Sequence, residues 1–308
     1  MSLHIRASSP LKHMSTGEVN LDDHDASQLQ MMDEMCLLVD PEDRVIGSKS
    51  KLDCHRNEGI RHRAFSVLIF DSEGRLLVQK RASEKITFPG VWANSCCSHP
   101  LDIESEKNGP EGVMTAAKRK LHQELGIPQN ETDGWIFHHI GRMEYACRWN
   151  KGWIEREIDH IMVVRADPTV DHNLNEISEV LWAKPDEVKK MMDGSGKWHE
   201  QVIAPWFRLI WQNYVIPNDC DFTTMTSEIN DVITYCGEVD MDGNPLNPGQ
   251  TLLDALSGHK DKVEEEIMSS LSKMRQKNLY GAMTHLFKGG GKRLRAILPR
   301  LVGEAVGK

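Results

Sequence analysis

Two runs suited to extended chain, Phe65 to Phe70 and Leu76 to Gln79, stand on either side of Asp71-Ser72-Glu73-Gly74. Branched and aromatic residues fit a pleated, half-buried surface, and turn residues between two such runs specify a hairpin. A hairpin must bury one face against another element, and Glu111 to Leu125 offers one. Val113, Ala117, Leu121 and Leu125 recur on one helical face, Lys and Arg crowd the other, and Gly126 followed by Pro128 stops the helix. Upstream, Met35 to Val39 ends at the turn Asp40-Pro41-Glu42-Asp43, with Arg44 to Gly47 as its return strand. Ser48 to Arg63 reads as a polar connection. Downstream, Ile136 to Trp149 and Ile158 to Arg165 read as longer strands and Val180 to Trp182 as a short one. Lys184-Pro185-Asp186-Glu187 then starts a helix, and Pro205 to Val215 is a helix that packs onto the sheet. Strands flanked by helices predict an α/β (α+β) sandwich with a mixed sheet between helices.

The ends have a different character. Residues 1–30 are polar and aperiodic and read as a flexible tail; 218–253, with scattered Asn, Asp, Gly and Pro, reads as a linker. Helical spacing returns after Thr251, so 254–308 is expected as a short all-α appendage. A net charge of −9 argues against general nucleic-acid binding, so an anionic ligand needs a locally basic pocket or metal ions. Seven cysteines, an odd number without Cys-x-x-Cys, point to a reducing compartment rather than a disulfide framework. No apolar run has the length of a bilayer span. The basic opening Met1 to Thr16 suits a presequence but is soon followed by Asp22, Asp23 and Asp25, which leaves targeting open.

The chemistry concentrates between Phe88 and Pro100. Pro89-Gly90 turns the chain, and in the extended segment beyond it Cys97 and His99, two residues apart, share a side while Cys96 points away. The same alternation puts Glu155 and Glu157 on one strand face. Together with His55, His62 and His99 they could form a site for Zn²⁺, Mn²⁺ or a similar borderline ion. Spacing alone equally allows solvated loop histidines and an exposed acidic strand end.

Read together, His62-Arg63-Ala64-Phe65-Ser66, Cys97-Ser98-His99-Pro100 and Glu155-Arg156-Glu157 resemble the type 1 isopentenyl-diphosphate isomerases, over roughly Met31 to Val215. The resemblance implies a Nudix-like fold for 31–217 and the reaction of isopentenyl to dimethylallyl diphosphate through a tertiary carbocation. It implies that His55, His62, His99, Glu155 and Glu157 are metal ligands and Cys97 the acid–base thiol. Glu157 is expected to act also as the carboxyl group across from Cys97, assisted by Tyr145. Trp182 is the expected aromatic face for the cation, with Trp92 as a second wall. Lys51, Arg81, Lys85, Arg119 and Lys120 fall near diphosphate-binding positions, and Glu124 near that of a Mg²⁺ ligand. His122, His138, His139 and His160 match no ligand position and read as structural.

A hydrolytic Nudix box clusters carboxylates along its helix. Aligned on Arg119 and Gly126, this chain keeps Glu111, Leu121, Glu124 and Ile127 but has Ser105 at the first Gly and Lys120 and Gln123 at two Glu positions. A diphosphate hydrolase is therefore the second enzymatic reading, and a catalytically silent metal-binding scaffold for a prenyltransferase the non-enzymatic one. Near the C-terminus, Gly291, Lys292, Arg293 and Arg295 resemble the opening helices of trans-prenyltransferases such as geranylgeranyl diphosphate synthase. No Asp-Asp-x-x-Asp motif follows, so this segment is expected to be a truncated fusion partner without a role in chain elongation. The expected partners are a small-molecule diphosphate and a prenyltransferase, not nucleic acid. A cytoplasmic monomer is expected, with a plastid as the alternative compartment.

Overall fold

A computed structural model describes residues 24–227 and 232–247, with Ser269 alone beyond them. In chain order the strands are β1 (Met35–Val39), β2 (Val45–Ser50), β3 (His62–Phe70), β4 (Leu76–Arg81), β5 (Trp92–Ala93), β6 (Cys96–Ser98), β7 (His138–Arg148), β8 (Ile154–Arg165), β9 (Ile177–Ala183) and β10 (Ile233–Val239). The helices are α1 (Ala26–Met32), α2 (Lys51–His55), α3 (Gly109–Leu125), α4 (Gln129–Thr132), α5 (Pro185–Met192), α6 (Pro205–Ile210) and α7 (Phe222–Ser227). The sheet runs β10-β7-β8-β3-β1-β2, with β4 paired to β3, β5 and β9, and β6 paired to β3. It is mixed, because β3 lies parallel to β8 and antiparallel to β4 and β6.

All nine residues of β3 are buried, as a strand covered on both faces requires. Phe65, Val67 and Ile69 join Val113, Ala117 and Leu121 of α3 in one core. Leu68 and Phe70 join Phe207 and Ile210 of α6 in the other. Gly126 closes α3 at φ +68°, and a Cβ there would lie 2.0 Å from the Asp171 carbonyl oxygen, so no other residue fits. No helix among the described residues is long and apolar enough to cross a membrane.

Three expectations change. The tail expected through residue 30 contains α1, which Asp25 caps through Ser27 N–H and which buries Gln28, Met31 and Met32. Within 218–253, α7 forms and β10 adds to the sheet parallel to β7. The register shift between Tyr235 and Gly237 interrupts that strand's alternation and hid it in the sequence. The polar connection after Gly47 continues β2 to Ser50, whose hydroxyl caps α2 through Asp53 N–H. The prenyltransferase-like segment 254–308 lies outside the described residues, Ser269 excepted.

A buried polar cluster ties the β1–β2 turn to the sheet. Asp43 accepts hydrogen bonds from Arg63 Nε and His160 Nε2, each at 2.8 Å, and Arg142 Nη1 lies at 3.4 Å. His160 Nδ1 then accepts from His139 Nε2 at 3.0 Å, a tautomer assigned from these partners. Burial, helped by the charges of Arg63 and Arg142 and opposed by Asp43, holds His160 below its ordinary value. Burial also opposes the Asp43 charge, but His160 and Arg63 hold it in the carboxylate form below its ordinary range. An unfolded histidine takes up a proton below about pH 6.5 that folded His160 refuses, so its contribution to stability declines as pH falls from there. Asp43 adds a further loss below about pH 4. The expected result is an unfolding free energy, from urea titrations, that drops between pH 7 and 5, by no more than about 1.4 kcal/mol per pH unit from His160, and a flatter profile in His160→Gln.

Candidate metal centre and proton-transfer pocket

His55 ends α2 and directs Nδ1–H to the Lys51 carbonyl at 2.7 Å; His62 opens β3 and directs its own to the Ile60 carbonyl, also at 2.7 Å. With Nδ1–H committed to a carbonyl, Nε2 carries the lone pair on each ring, the arrangement of a metal-ligating imidazole. His99 follows β6, and the alternation of β8 places Glu155 and Glu157 toward the same point. One donor atom from each of the five residues lies within 4.8 Å of every other.

The spacing of these atoms is chemically specific. His55 Nε2 sits 2.7 Å from Glu155 Oε2, yet both atoms, like His62 Nε2, are buried without a hydrogen-bond partner. Electron-rich atoms forced together in a dry interior repel unless a cation lies between them. The group therefore fits a divalent metal ion. His62 gives the same indication: burial opposes its charge, but the Glu157 carboxylate 3.6 Å from Nε2 pushes it up to about 9. The carboxylates call for positive charge where an ion would supply it.

The centre opens into a pocket lined by Cys97, Tyr145, Glu157 and Trp206. Cys97 stands on one wall, opposite Ser66 in the β6–β3 ladder, while Cys96 points into the α3 core as alternation requires. Burial pushes the Cys97 thiol up to about 12, against the pull of Arg81, whose Nη1 is 3.9 Å from Sγ. Glu157 is also in the pocket: Oε1 meets His99 Nε2 at 2.8 Å, and Oε2 accepts from Tyr145 O–H at 2.7 Å. Burial opposes the Glu157 charge, but His62 and the Tyr145 hydrogen bond hold it below its ordinary value. Burial and Glu157 raise Tyr145 well above the usual phenol range.

Of the expected diphosphate ligands, Lys51, Arg81 and Lys85 line this pocket. Arg81 is held from behind, Nε donating to the Phe88 carbonyl at 3.0 Å and Nη2 to that of Thr87 at 2.8 Å. Phe88 presents its carbonyl from a left-handed backbone, φ +48°, which is uncommon for a bulky residue. Arg119 and Lys120 are engaged elsewhere. Arg119 pairs with Glu106 at 2.7 Å and donates to the His99 carbonyl, and buried Lys120 pairs with Glu124 at 3.1 Å. Glu124 lies behind the pocket wall, near Cys96 Sγ at 3.8 Å.

The aromatic expectations need correction. Trp182 packs with the α3 core, on the sheet face opposite Leu181, because strand alternation sends neighbours to opposite sides. Trp92 is core, with Nε1–H donating to Gln201. The tryptophan that lines the pocket is Trp206, at the first turn of α6. It stacks edge-on to Phe88 at 5.2 Å, and Asn94 Oδ1 orients its ring by accepting from Nε1–H at 3.1 Å. No local signal distinguishes Trp206 from the other tryptophans; only the arrival of α6 at the pocket does. Asp159 and Ser66, bonded to each other at 2.8 Å, also line the pocket. Asp159 extends the period-two carboxylate series of Glu155 and Glu157, a pattern visible in the sequence.

Residues 60–207 match the NUDIX domain family. The crystal structure of DR0079 from Deinococcus radiodurans is 20% identical with a TM-score of 0.44, covering 59% of this chain and 99% of that one. Isopentenyl-diphosphate Delta-isomerase 1 of Bos taurus is 42% identical over 204 residues, which span 64% of this chain and 89% of the relative. Isopentenyl-diphosphate delta-isomerase IDI1 of Gibberella zeae is 39% identical over 217 residues, 65% of this chain and 84% of the relative. With identity of this level across most of each relative's length, the chain belongs to the isopentenyl-diphosphate delta-isomerase family.

Proposed function

We infer that this protein is an enzyme that interconverts isopentenyl and dimethylallyl diphosphate by protonation and deprotonation. The observation that carries the reading is one buried pocket holding a protonated thiol, Cys97, and an ionised carboxylate, Glu157, with its phenol partner Tyr145. Protonation of the terminal alkene carbon leaves a tertiary cation, and loss of a proton from the neighbouring carbon gives the internal alkene. Cys97 holds the proton to be given and Glu157 has the vacant site to take one, while Tyr145 fixes the carboxylate plane. The low exposure of Glu157 and Tyr145 keeps water from trapping the cation, and the Trp206 face stabilises its charge. Lys51, Arg81 and Lys85 offset the diphosphate charge.

Three imidazoles and two carboxylates suit Zn²⁺ or Mn²⁺, and such an ion would supply a fixed positive charge beside Glu157. Glu124 offers a single carboxylate, already paired with Lys120, so Mg²⁺ near it would draw its other ligands from water and the diphosphate. Among the described residues the His/Glu group is the one cluster fit for a metal, and Lys120 places a cation where a hydrolytic box has a carboxylate. That favours isomerisation over hydrolysis. The basic segment around Gly291 to Arg295 supports a prenyltransferase-like appendage, and the free cysteines suit a reducing compartment such as the cytoplasm.

The deciding experiment incubates the protein with isopentenyl diphosphate in D₂O, with Mg²⁺ and a trace of Mn²⁺ or Zn²⁺, and follows products by NMR. Deuterated dimethylallyl diphosphate is the expected product. Released phosphate with an intact alkene would identify a hydrolase, and unchanged substrate on a metal-loaded protein would identify a scaffold. The pocket also separates the two tryptophans: Trp206→Ala should lower kcat by about thirtyfold or more, the value of about 2 kcal/mol of desolvated cation–π stabilisation. Trp182→Ala should lower the melting temperature and leave kcat nearly unchanged.

A further inference from the structure

We infer that Gln28, on the N-terminal helix α1, is a positioning residue for the diphosphate end of the pocket, acting on Lys85 through Glu176. This rests on Lys85 serving the diphosphate, as proposed above. Lys85 is 6% exposed and lines the pocket, and its ammonium is ion-paired with Glu176 Oε2. Glu176 is itself 1% exposed, just before β9, and its other oxygen, Oε1, accepts from Gln28 Nε2 at 2.8 Å. The same Nε2 donates to the Asn175 carbonyl at 3.0 Å. Both amide protons of Gln28 are thereby used on two consecutive residues, which defines the orientation of a side chain only 3% exposed.

The consequence concerns how many donors Lys85 keeps. A carboxylate with both oxygens free can turn to take two N–H groups of an ammonium, and a buried one gains by doing so. With Oε1 occupied by Gln28, Glu176 takes one of the three donors of Lys85 and leaves two for phosphate oxygens. The helix is well anchored for this task. Asn175 Nδ2 donates to Asp25 Oδ1 at 2.9 Å, at the α1 cap. Met32 of α1 packs with Ile86, the neighbour of Lys85, and with Trp153. Just past the helix, the Glu34 carbonyl accepts from Lys51 N–H at 2.7 Å, so the same segment holds the backbone of a second pocket lysine. The segment from α1 to Glu34 is thus a brace behind two of the three pocket cations.

The test uses the full chain and inorganic pyrophosphate as probe, both as competitive inhibitor and by direct calorimetric binding. Gln28→Ala should raise KM for isopentenyl diphosphate and the pyrophosphate dissociation constant together, by about fivefold for one lost buried hydrogen bond, with kcat little changed. Gln28→Glu, nearly the same shape, should weaken both further by setting a second carboxylate against Glu176. It also carries the test if Gln28→Ala folds poorly. In a Lys85→Ala background the Gln28 changes should add nothing, because the residue acts through Lys85. Unchanged pyrophosphate binding in folded Gln28 variants overturns the inference, as does full additivity with Lys85→Ala. If Lys85→Ala itself leaves pyrophosphate binding unchanged, the assignment of Lys85 to the diphosphate fails and the inference fails with it. A Lys85 effect without a Gln28 effect overturns the inference alone.

Discussion

Cys97→Ala is expected to lower isomerisation by about 10²–10⁴-fold or more in kcat, the range for loss of a positioned general acid, with melting temperature and metal content unchanged. The half-buried thiol stands on a short strand, Cys96–Ser98, whose backbone ladder with β3 does not depend on the side chain. Alanine therefore removes the proton and little else. Burial keeps that proton on sulfur at neutral pH, so no separate base is needed to prepare the group. Cys97→Ser is an informative second variant. It restores a hydroxyl of similar size but one far less acidic than a thiol, and should recover little of the lost rate. The measurement is NMR turnover of isopentenyl diphosphate in D₂O beside a metal assay of the same sample. Turnover within tenfold of the parent would remove Cys97 from the proton path.

Glu157→Gln is expected to have an effect of comparable size on turnover and, unlike Cys97→Ala, to weaken the metal centre. The carboxylate faces His99 at 2.8 Å and His62 at 3.6 Å through Oε1, and Tyr145 at 2.7 Å through Oε2. An amide keeps the shape but loses the charge that the ion and the Tyr145 hydroxyl both use. It also cannot accept a proton as a carboxylate does. Turnover should fall by about 10²–10⁴-fold and metal affinity by about tenfold or more. Competition with a chelator, followed by metal analysis, separates the two losses. A Glu157→Gln protein that binds metal as the parent does and still turns over would place both functions elsewhere.

The two expected results rest on different kinds of information. The Cys97/His99 and Glu155/Glu157 pairs were legible because a strand has period two, and period two decides which side chains share a face whatever the strand packs against. The helix Gly109–Leu125 and its stop at Gly126 were legible for a similar local reason. Arg119 and Lys120 show where local reading ends. Both are basic residues on the helix beside the site, yet Glu106 and Glu124 hold them, and those partners come from folding the chain around α3. Trp182 and Trp206 show it again, since either could supply a π-face and only the placement of α6 selects the second. The tail and the linker were misread because a seven-residue helix and a bulged edge strand take their stability from docking rather than from their own pattern.

By itself, the order of residues determined the elements of the sheet apart from β5 and β10, the stop of α3, the facing of Cys97 away from Cys96, and the donor types for a metal and for proton transfer. These follow from backbone periodicity and side-chain chemistry, which act over a few residues. Tertiary structure alone decided that five donors from separate segments meet within 4.8 Å, that three of the five expected cations reach the pocket, and that Gln28 braces one of them. Those outcomes depend on the parallel pairing of β3 with β8 and the docking of α1 and α6, contacts between residues far apart in the chain. Their free energy appears only when the sheet has closed around its two cores.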